Sequence, residues 1–421
     1  MAGMSGRGMS GISARLAVVL LVGCASTPGA GPGAGRGEAL TATTLSTPAG
    51  PSDVDSVPLP RPGGNPFLGA EFYVDPGYQA QVRAAAGRST PELAERMKKV
   101  AGQPTAIWIE SVADVTDKLP TILADVDRQR ARQAGKPVVV VFSIYDLPNR
   151  DCAAKASAGE FSIEADGERR YRTDFIDPIA AQLRAHPDAR VVVILETDSL
   201  ANLATNLGIP KCAAASGAYR RSTAYAISTL AGPNVSIYLE AAHAGWLGWA
   251  GNRAKIAAIY KDILGAAGGP QKIRGFFTNV SNFNTLAGGD GRALEPSNPC
   301  PDELSYVRGL ADSLRWAGIT GKAFIIDTSR NGRGGIRKRW GSWCNVRGAG
   351  LGERPRAAPA PFVDAYFWVK PPGESDGTSD PSAPRYDQMC GSADAAPGAP
   401  QAGRWFDAYF ADLVRNANPP L

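Results

Sequence analysis

The segment Val138–Cys152 (VVVVFSIYDLPNRDC) limits the fold more than any other stretch. From Val138 to Ile144 it lacks the polar alternation of a half-buried strand. A run of this kind is buried on both faces, as parallel strands are. Asp146, Arg150 and Asp151 then crowd its carboxyl exit. The segment Arg190–Glu196 (RVVVILE) repeats the design and runs into Asp198. Two such strands, each ending on an acid, suggest carboxylates that face one another across a site.

The rest of the chain keeps the same rhythm. Strands are predicted over Ala106–Glu110, Val138–Ile144, Arg190–Glu196, Val235–Glu240, Ile273–Thr278, Lys322–Asp327 and Val363–Val369. Helical patterns are predicted over Thr90–Val100, Val115–Gln133, Phe175–Ala185, Ser216–Leu230, Asn252–Ala267, Asp302–Ala317 and Phe406–Asn416. Alternating apolar strands and amphipathic helices make parallel βαβ units. The expected architecture is therefore α/β, an incomplete, seven-stranded parallel β/α barrel. A doubly wound open sheet is the alternative. No glycine-rich phosphate-binding loop follows a strand, which removes a nucleotide-binding reading.

The 421 residues, 44% hydrophobic, suffice for one large core. A net charge of +5 without a basic run leaves nothing for nucleic acid to bind. Two histidines exclude a His-rich metal site. Residues 1–23 read as an export signal, with Arg7 and Arg15 before the apolar Leu16–Gly23. Leu21-Val22-Gly23-Cys24 resembles a bacterial lipobox, which implies lipidation of Cys24; an ordinary secretory signal is the alternative. The product would be an exported lipoprotein at the cell surface or a secreted protein. Residues 24–64 are Pro, Gly, Ala, Ser and Thr with few large apolar side chains, a flexible tether in composition. The folded domain is expected over 65–421.

In a barrel, the strand exits share one face, where active sites are built. The exits carry Trp108; Tyr145, Arg150 and Asp151; Asp198; His243, Trp246 and Trp249; Asn279 and Asn282; Arg330; and Lys370, Glu374 and Asp376. Indole rings stack on the apolar faces of pyranose rings, amides and charges bond hydroxyls, and carboxylates protonate a glycosidic oxygen and polarise water. Taken singly, each residue has a plainer reading. Asp198 suits the cap of a following helix, Trp246 and Trp249 suit a helix core, and His243 suits a structural role. Their joint placement at the strand exits favours a polysaccharide cleft.

Six ordered motifs add to this: YDLPNRDCAA (Tyr145–Ala154), ETDSLAN (Glu196–Asn202), HAGWLGW (His243–Trp249), TNVSNF (Thr278–Phe283), WCN (Trp343–Asn345) and VKPPGESDGTSD (Val369–Asp380). Through them the chain resembles glycoside hydrolase family 6, the inverting β-1,4-glucanases, from about Asn65 to its end. The resemblance implies a distorted, incomplete barrel with no metal or organic cofactor. It implies that Asp198 is the general acid and that Asp151, beside it, raises the donor's pKa and helps activate water through a water chain. It matches Asp376 to a carboxylate of debated role, long argued as the base. It matches Tyr145 to the residue pressing on the distorted sugar, and Ser157 to the serine holding the attacking water. Trp108 and Trp343 match platforms on the non-reducing side, and Trp246 and Trp249 platforms on the leaving side. Arg150, His243, Asn282, Lys370 and Glu374 are further candidate substrate contacts. Disulfides Cys152–Cys212 and Cys344–Cys390 are implied, with Cys300 left unpaired, or bridged to Cys24 if that residue is not lipidated.

Three positions depart from the family's pattern. Thr197 replaces a proline and is expected to loosen the backbone beside the acid. Glu240 replaces an aspartate and is expected to add a methylene near the leaving-side subsites. Ala242 replaces a glycine. Long segments after Asp151 and from Gly373 to about Gly403 resemble the loops that roof the exo-acting, cellobiohydrolase-type members; an open-cleft endoglucanase is the alternative. The expected partners are β-1,4-glucan chains or cello-oligosaccharides, bound by a monomer that meets a membrane only through its lipid anchor. Two competing readings are a surface lipoprotein that binds β-glucan without cutting it, and a glycosidase acting on another β-glucan.

Overall fold

The computed structural model describes residues 64–288, 294–339 and 341–421. The expected leader, Cys24 and the tether as far as residue 63 lie outside the described residues.

Among the described residues, nine strands form one sheet. They are β1 (Glu71–Phe72), β2 (Ile107–Ile109), β3 (Val138–Ile144), β4 (Arg190–Leu195), β5 (Val235–Glu240), β6 (Gly275–Thr278), β7 (Ala323–Asp327), β8 (Arg356–Ala360) and β9 (Val363–Phe367). The order is β1-β3-β4-β5-β6-β7-β9-β8, with β2 also pairing β3. All seven predicted strands are present and run parallel to one another. The sheet curls until β2 approaches β9, where a single parallel bridge, Thr105 to Trp368, spans the gap. Ala106 N and Trp108 Nε1 donate there to the carbonyls of Trp368 and Val369 at 3.1 and 2.9 Å. The incomplete barrel thus closes by a seam of a few hydrogen bonds rather than by a ladder.

Two strands were not legible. β1 is only two residues long. β8 (RAAPA) is the antiparallel edge strand, and its Pro359 has no N–H to give, which only an edge tolerates. The helix Pro76–Gly87 was also missed. Its signal is the Asp75 carboxylate, which accepts from Gly77 N and Tyr78 N ahead of a helix that opens on proline.

Burial on both faces explains the unbroken apolar strands. Val139, Val141, Val192, Ile194, Phe277 and Ile325 fill the barrel interior. Val138, Val140, Phe142, Val191 and Val193 point outward and pack beneath the helices. Within the sheet, Gly275 is sterically required. A Cβ on Gly275 of β6 would come within 1.8 Å of the Ala323 carbonyl oxygen on β7.

Backbone direction changes abruptly where strands end. Asn149 and Asp151 after β3, Glu196 and Asp198 after β4, Ala242 after β5, and Asn279 and Ser281 after β6 all hold positive φ, between 44° and 65°. Non-glycine residues in this region cost energy, and such conformations cluster at functional sites. Here they aim side chains back across the mouth of the barrel.

Candidate active site

The strand exits line a cleft of about 1190 Å³. Trp108, Tyr145, Arg150, Asp151, Ser157, Asp198, His243, Trp246, Trp249, Asn282, Trp343, Lys370, Glu374 and Asp376 border it, whereas Asn279 and Arg330, also at strand exits, are buried and do not line it.

Asp198 sits at the centre, half-buried. Burial, and after it the charges of Glu240, Asp151 and Asp376, push its carboxyl well above the usual carboxylate range. It does not cap the following helix Leu200–Thr205, whose N-cap residue is Ser199 and makes no side-chain cap bond. Instead the Asp198 carbonyl accepts from Asn202 Nδ2 at 2.7 Å, leaving the carboxyl to the cleft.

Glu240 corrects an expectation. It does not border the cleft but lies fully buried beneath Asp198. Its oxygens accept from Ala201 N at 3.0 Å and Ala242 N at 2.7 Å. The added methylene therefore reaches the start of the helix after Asp198 rather than a sugar subsite. Burial raises Glu240 to about 7 against those opposing hydrogen bonds. Thr197 is also buried, and its hydroxyl has no partner.

Asp151 follows β3. Its Oδ2 accepts from Ser157 N at 3.2 Å, and burial raises its pKa while that bond, Lys211 and Arg150 oppose the rise. Arg150 borders the cleft and also serves as a scaffold. It donates to the carbonyls of Ser157 at 2.8 Å, Glu110 at 3.1 Å and Tyr145, lies 3.3 Å from Asp146, and stacks on the Tyr145 ring. Tyr145 also meets Trp108 edge to face at 5.5 Å between centroids. Burial, then Asp151, push its phenol well above its ordinary value, so it stays neutral.

Asp376 is fixed from two sides. Oδ2 accepts from Arg330 Nη1 at 2.8 Å and from Asn345 N at 2.7 Å. Lys370 approaches Glu374 at 3.6 Å and lies 5.6 Å from the Trp108 ring centroid, giving that end of the cleft a charged wall and an aromatic floor.

At the other end, Trp246 and Trp249 are half-buried, with indole N–H groups donating to Thr205 at 2.7 Å and Ser297 at 3.1 Å. Both rings border the cleft, so neither is pure core. His243 is structural and cleft-lining at once. Its ring nitrogens lie 3.0 and 2.9 Å from the amides of Asn282 and Asn284, which Arg337 holds in turn. Burial and the Arg337 cation lower His243 to about 3, leaving it uncharged.

Two loops meet beside Asp151. Lys155 N, from the loop after Asp151, donates to Asp387 Oδ2 at 3.1 Å. A Cβ on Gly377 would lie 2.9 Å from the Ala156 Cβ. Disulfides Cys152–Cys212 and Cys344–Cys390 anchor the roots of the two loops. Cys300 is free and buried.

Sequence reasoning missed Lys211, Arg337 and Asp387. Lys211 had one available signal, its place next to the disulfide-bonded Cys212.

A protonated carboxyl beside charged ones, in a tryptophan-lined cleft at the carboxyl ends of barrel strands, is the machinery of a glycoside hydrolase. The family model "Glycosyl hydrolases family 6" matches residues 67–417. "Exoglucanase 3" of Agaricus bisporus is 46% identical over 360 residues, covering 85% of this chain and 80% of that protein. "1,4-beta-D-glucan cellobiohydrolase C" of Emericella nidulans is 45% identical over 365 residues, covering 85% and 79%. The structure of cellobiohydrolase II (Cel6A) from Humicola insolens with glucose and cellotetraose superposes with a TM-score of 0.82 at 40% identity, covering 85% of this chain and 100% of that one. The chain belongs to glycosyl hydrolase family 6.

Proposed function

We propose that this protein hydrolyses β-1,4-glucosidic bonds of cellulose-like glucans with inversion, acting from chain ends and releasing cellobiose. The observation that carries the exo reading is the roof. The two loops touch one another beside Asp151, which supports a chain threading beneath them rather than settling from above. The relatives' names, exoglucanase and cellobiohydrolase, support the same reading.

In this mechanism Asp198 gives its proton to the glycosidic oxygen as the bond from C1 breaks. Water attacks C1 from the opposite face, and its proton leaves through solvent toward Asp151. Burial and neighbouring charge keep Asp198 protonated, which an acid catalyst requires near neutral pH. Ser157, tied to Asp151 through its own N–H, orients the water. Tyr145 presses on the sugar at the cleavage point. Trp108 and Trp343 carry the non-reducing side, Trp246 and Trp249 the leaving side, and Lys370, Glu374, His243 and Asn282 bond hydroxyls.

We place the protein outside the cytoplasm, as a monomer tethered through lipidated Cys24. Radiolabelled palmitate incorporation lost on Cys24→Ser tests the anchor. A proton NMR time course on cellohexaose tests the activity. Fresh α-anomer with mostly cellobiose supports it; β-anomer, or binding without cleavage, overturns it.

A further inference from the structure

We propose that Lys211 is a positioning residue for this reaction, delivered by the Cys152–Cys212 disulfide to lock the backbone of residues 150–151 and hold Asp151 as an anion facing the proton donor. The inference rests on the reading of Asp151 and Asp198 given above.

The geometry is specific. Lys211 Nζ donates to the carbonyls of Arg150 at 3.3 Å and Asp151 at 3.2 Å. Asp151 holds a left-handed backbone, φ 57°, a conformation that persists only where its surroundings over-determine it. The ammonium supplies one such constraint from outside the loop. Lys211 itself belongs to a different element, the helix Pro210–Leu230, and sits in its first turn. The neighbouring Cys212 is bonded to Cys152, the residue after Asp151. The disulfide therefore fixes the distance between the helix and the acid, and Lys211 is the side chain that benefits.

The charges facing Asp151 oppose one another. Lys211 and Arg150 favour its ionised form, while Asp387 from the other roof loop, Asp198, and the phenols of Tyr145 and Tyr219 lie on the unfavourable side or stay neutral. Arg150 is already committed to three carbonyls and Asp146. Lys211 is the cation that can be removed without dismantling that scaffold, because its contacts there are two carbonyls at the protein surface. If Asp151 became neutral, Asp198 would lose a charge that holds its proton, and water would lose its proton acceptor.

The test compares wild type, Lys211→Met and Lys211→Arg in the full chain. The first readout is the pH dependence of kcat/KM on cellohexaose. Lys211→Met should move the acid limb upward, so that the rate falls about tenfold at pH 5 and less at pH 7, and Lys211→Arg should restore the wild-type limb. The second readout needs no turnover: a carbon-13 carboxyl NMR titration, with the Asp151 signal identified by its loss in Asp151→Asn. Its midpoint should rise in Lys211→Met. The paired Cys152→Ser/Cys212→Ser variant should show the same rise, with little further change when Lys211→Met is added. An unmoved midpoint, or an equal loss of rate at every pH, would overturn the proposal. A wild type that fails to cut cellohexaose overturns the proposed function instead, and the titration still decides the role of Lys211.

Discussion

Arg330 donates to Asp376 across 2.8 Å, and both side chains are buried. The same carboxylate oxygen accepts the Asn345 N–H. A carboxylate held this way serves better as a fixed negative charge than as a proton acceptor. Asp376→Ala should therefore lose most turnover and also unfold more easily, by about 3–5 kcal/mol, because Arg330 is left buried without its counter-charge. Thermal melting checks the stability. Azide checks the role: a small anion that substitutes for base-activated water would restore turnover if Asp376 were the base, and no rescue is expected.

Asp198→Asn removes the transferable proton and little else, since the carboxyl has no capping duty. Turnover of cellohexaose should fall about 10²–10⁴-fold, with oligosaccharide affinity nearly unchanged. A cellobioside with a strongly acidic phenol as leaving group needs no protonation and should retain far more of its rate. Equal losses on both substrates would remove Asp198 from the role of acid.

The barrel was legible because its strands are buried on both faces, a constraint that Val138–Ile144 and Arg190–Leu195 cannot hide. The cleft-lining residues were legible because they follow those strands. The contacts beneath the cleft were not. Nothing in the letters around Glu240 says that its carboxylate turns back to Ala201 N and Ala242 N, nor that Arg150 binds main-chain carbonyls. Such contacts depend on left-handed turns at Asn149, Asp151, Glu196 and Asp198, and no glycine marks those positions.

Trp246 donates its N–H to Thr205, which pins one edge and leaves a ring at the cleft wall. Trp246→Ala should weaken binding of cellohexaose by on the order of tenfold, about 1.4 kcal/mol. The loss should be smaller for cellobiose, which need not reach the leaving side. Calorimetric titration on an inactive Asp198→Asn background separates the two, and an unaltered affinity for the hexamer would make the ring core.

Buried acids give the fold a pH signature. Burial raises Glu196 and Glu240 to about 7, Glu303 to about 8 and Asp146 to about 9. Each folded acid binds its proton more tightly than the unfolded chain does. Their contribution is complete below the unfolded values near 4 and is lost as pH rises toward the folded ones. The melting temperature should therefore fall between pH 5 and pH 8. Glu303→Gln, which cannot ionise, should flatten that slope. A melting temperature that rises with pH over this range would contradict the burial of these groups as acids.

Asp387 holds the roof shut from one side. One oxygen accepts Lys155 N from the opposite loop, and the other accepts Met389 N at 2.9 Å, which fixes the carboxylate's aim. Asp387→Ala removes both bonds and should let the loops part. Internal cleavage should then increase. The viscosity of carboxymethylcellulose should drop faster, and the ratio of soluble to insoluble reducing ends on amorphous cellulose should fall several-fold. Cellotetraose, which needs no roof to stay aligned, should be cut within about threefold of the wild-type rate. Asp387→Asn removes the negative charge near Asp151 but keeps one acceptor oxygen, which can take the Lys155 N–H at the expense of the Met389 N–H. It should keep the wild-type product ratio. If the two variants shifted that ratio equally, the charge on Asp387 rather than its bond to Lys155 would govern how the chain is held.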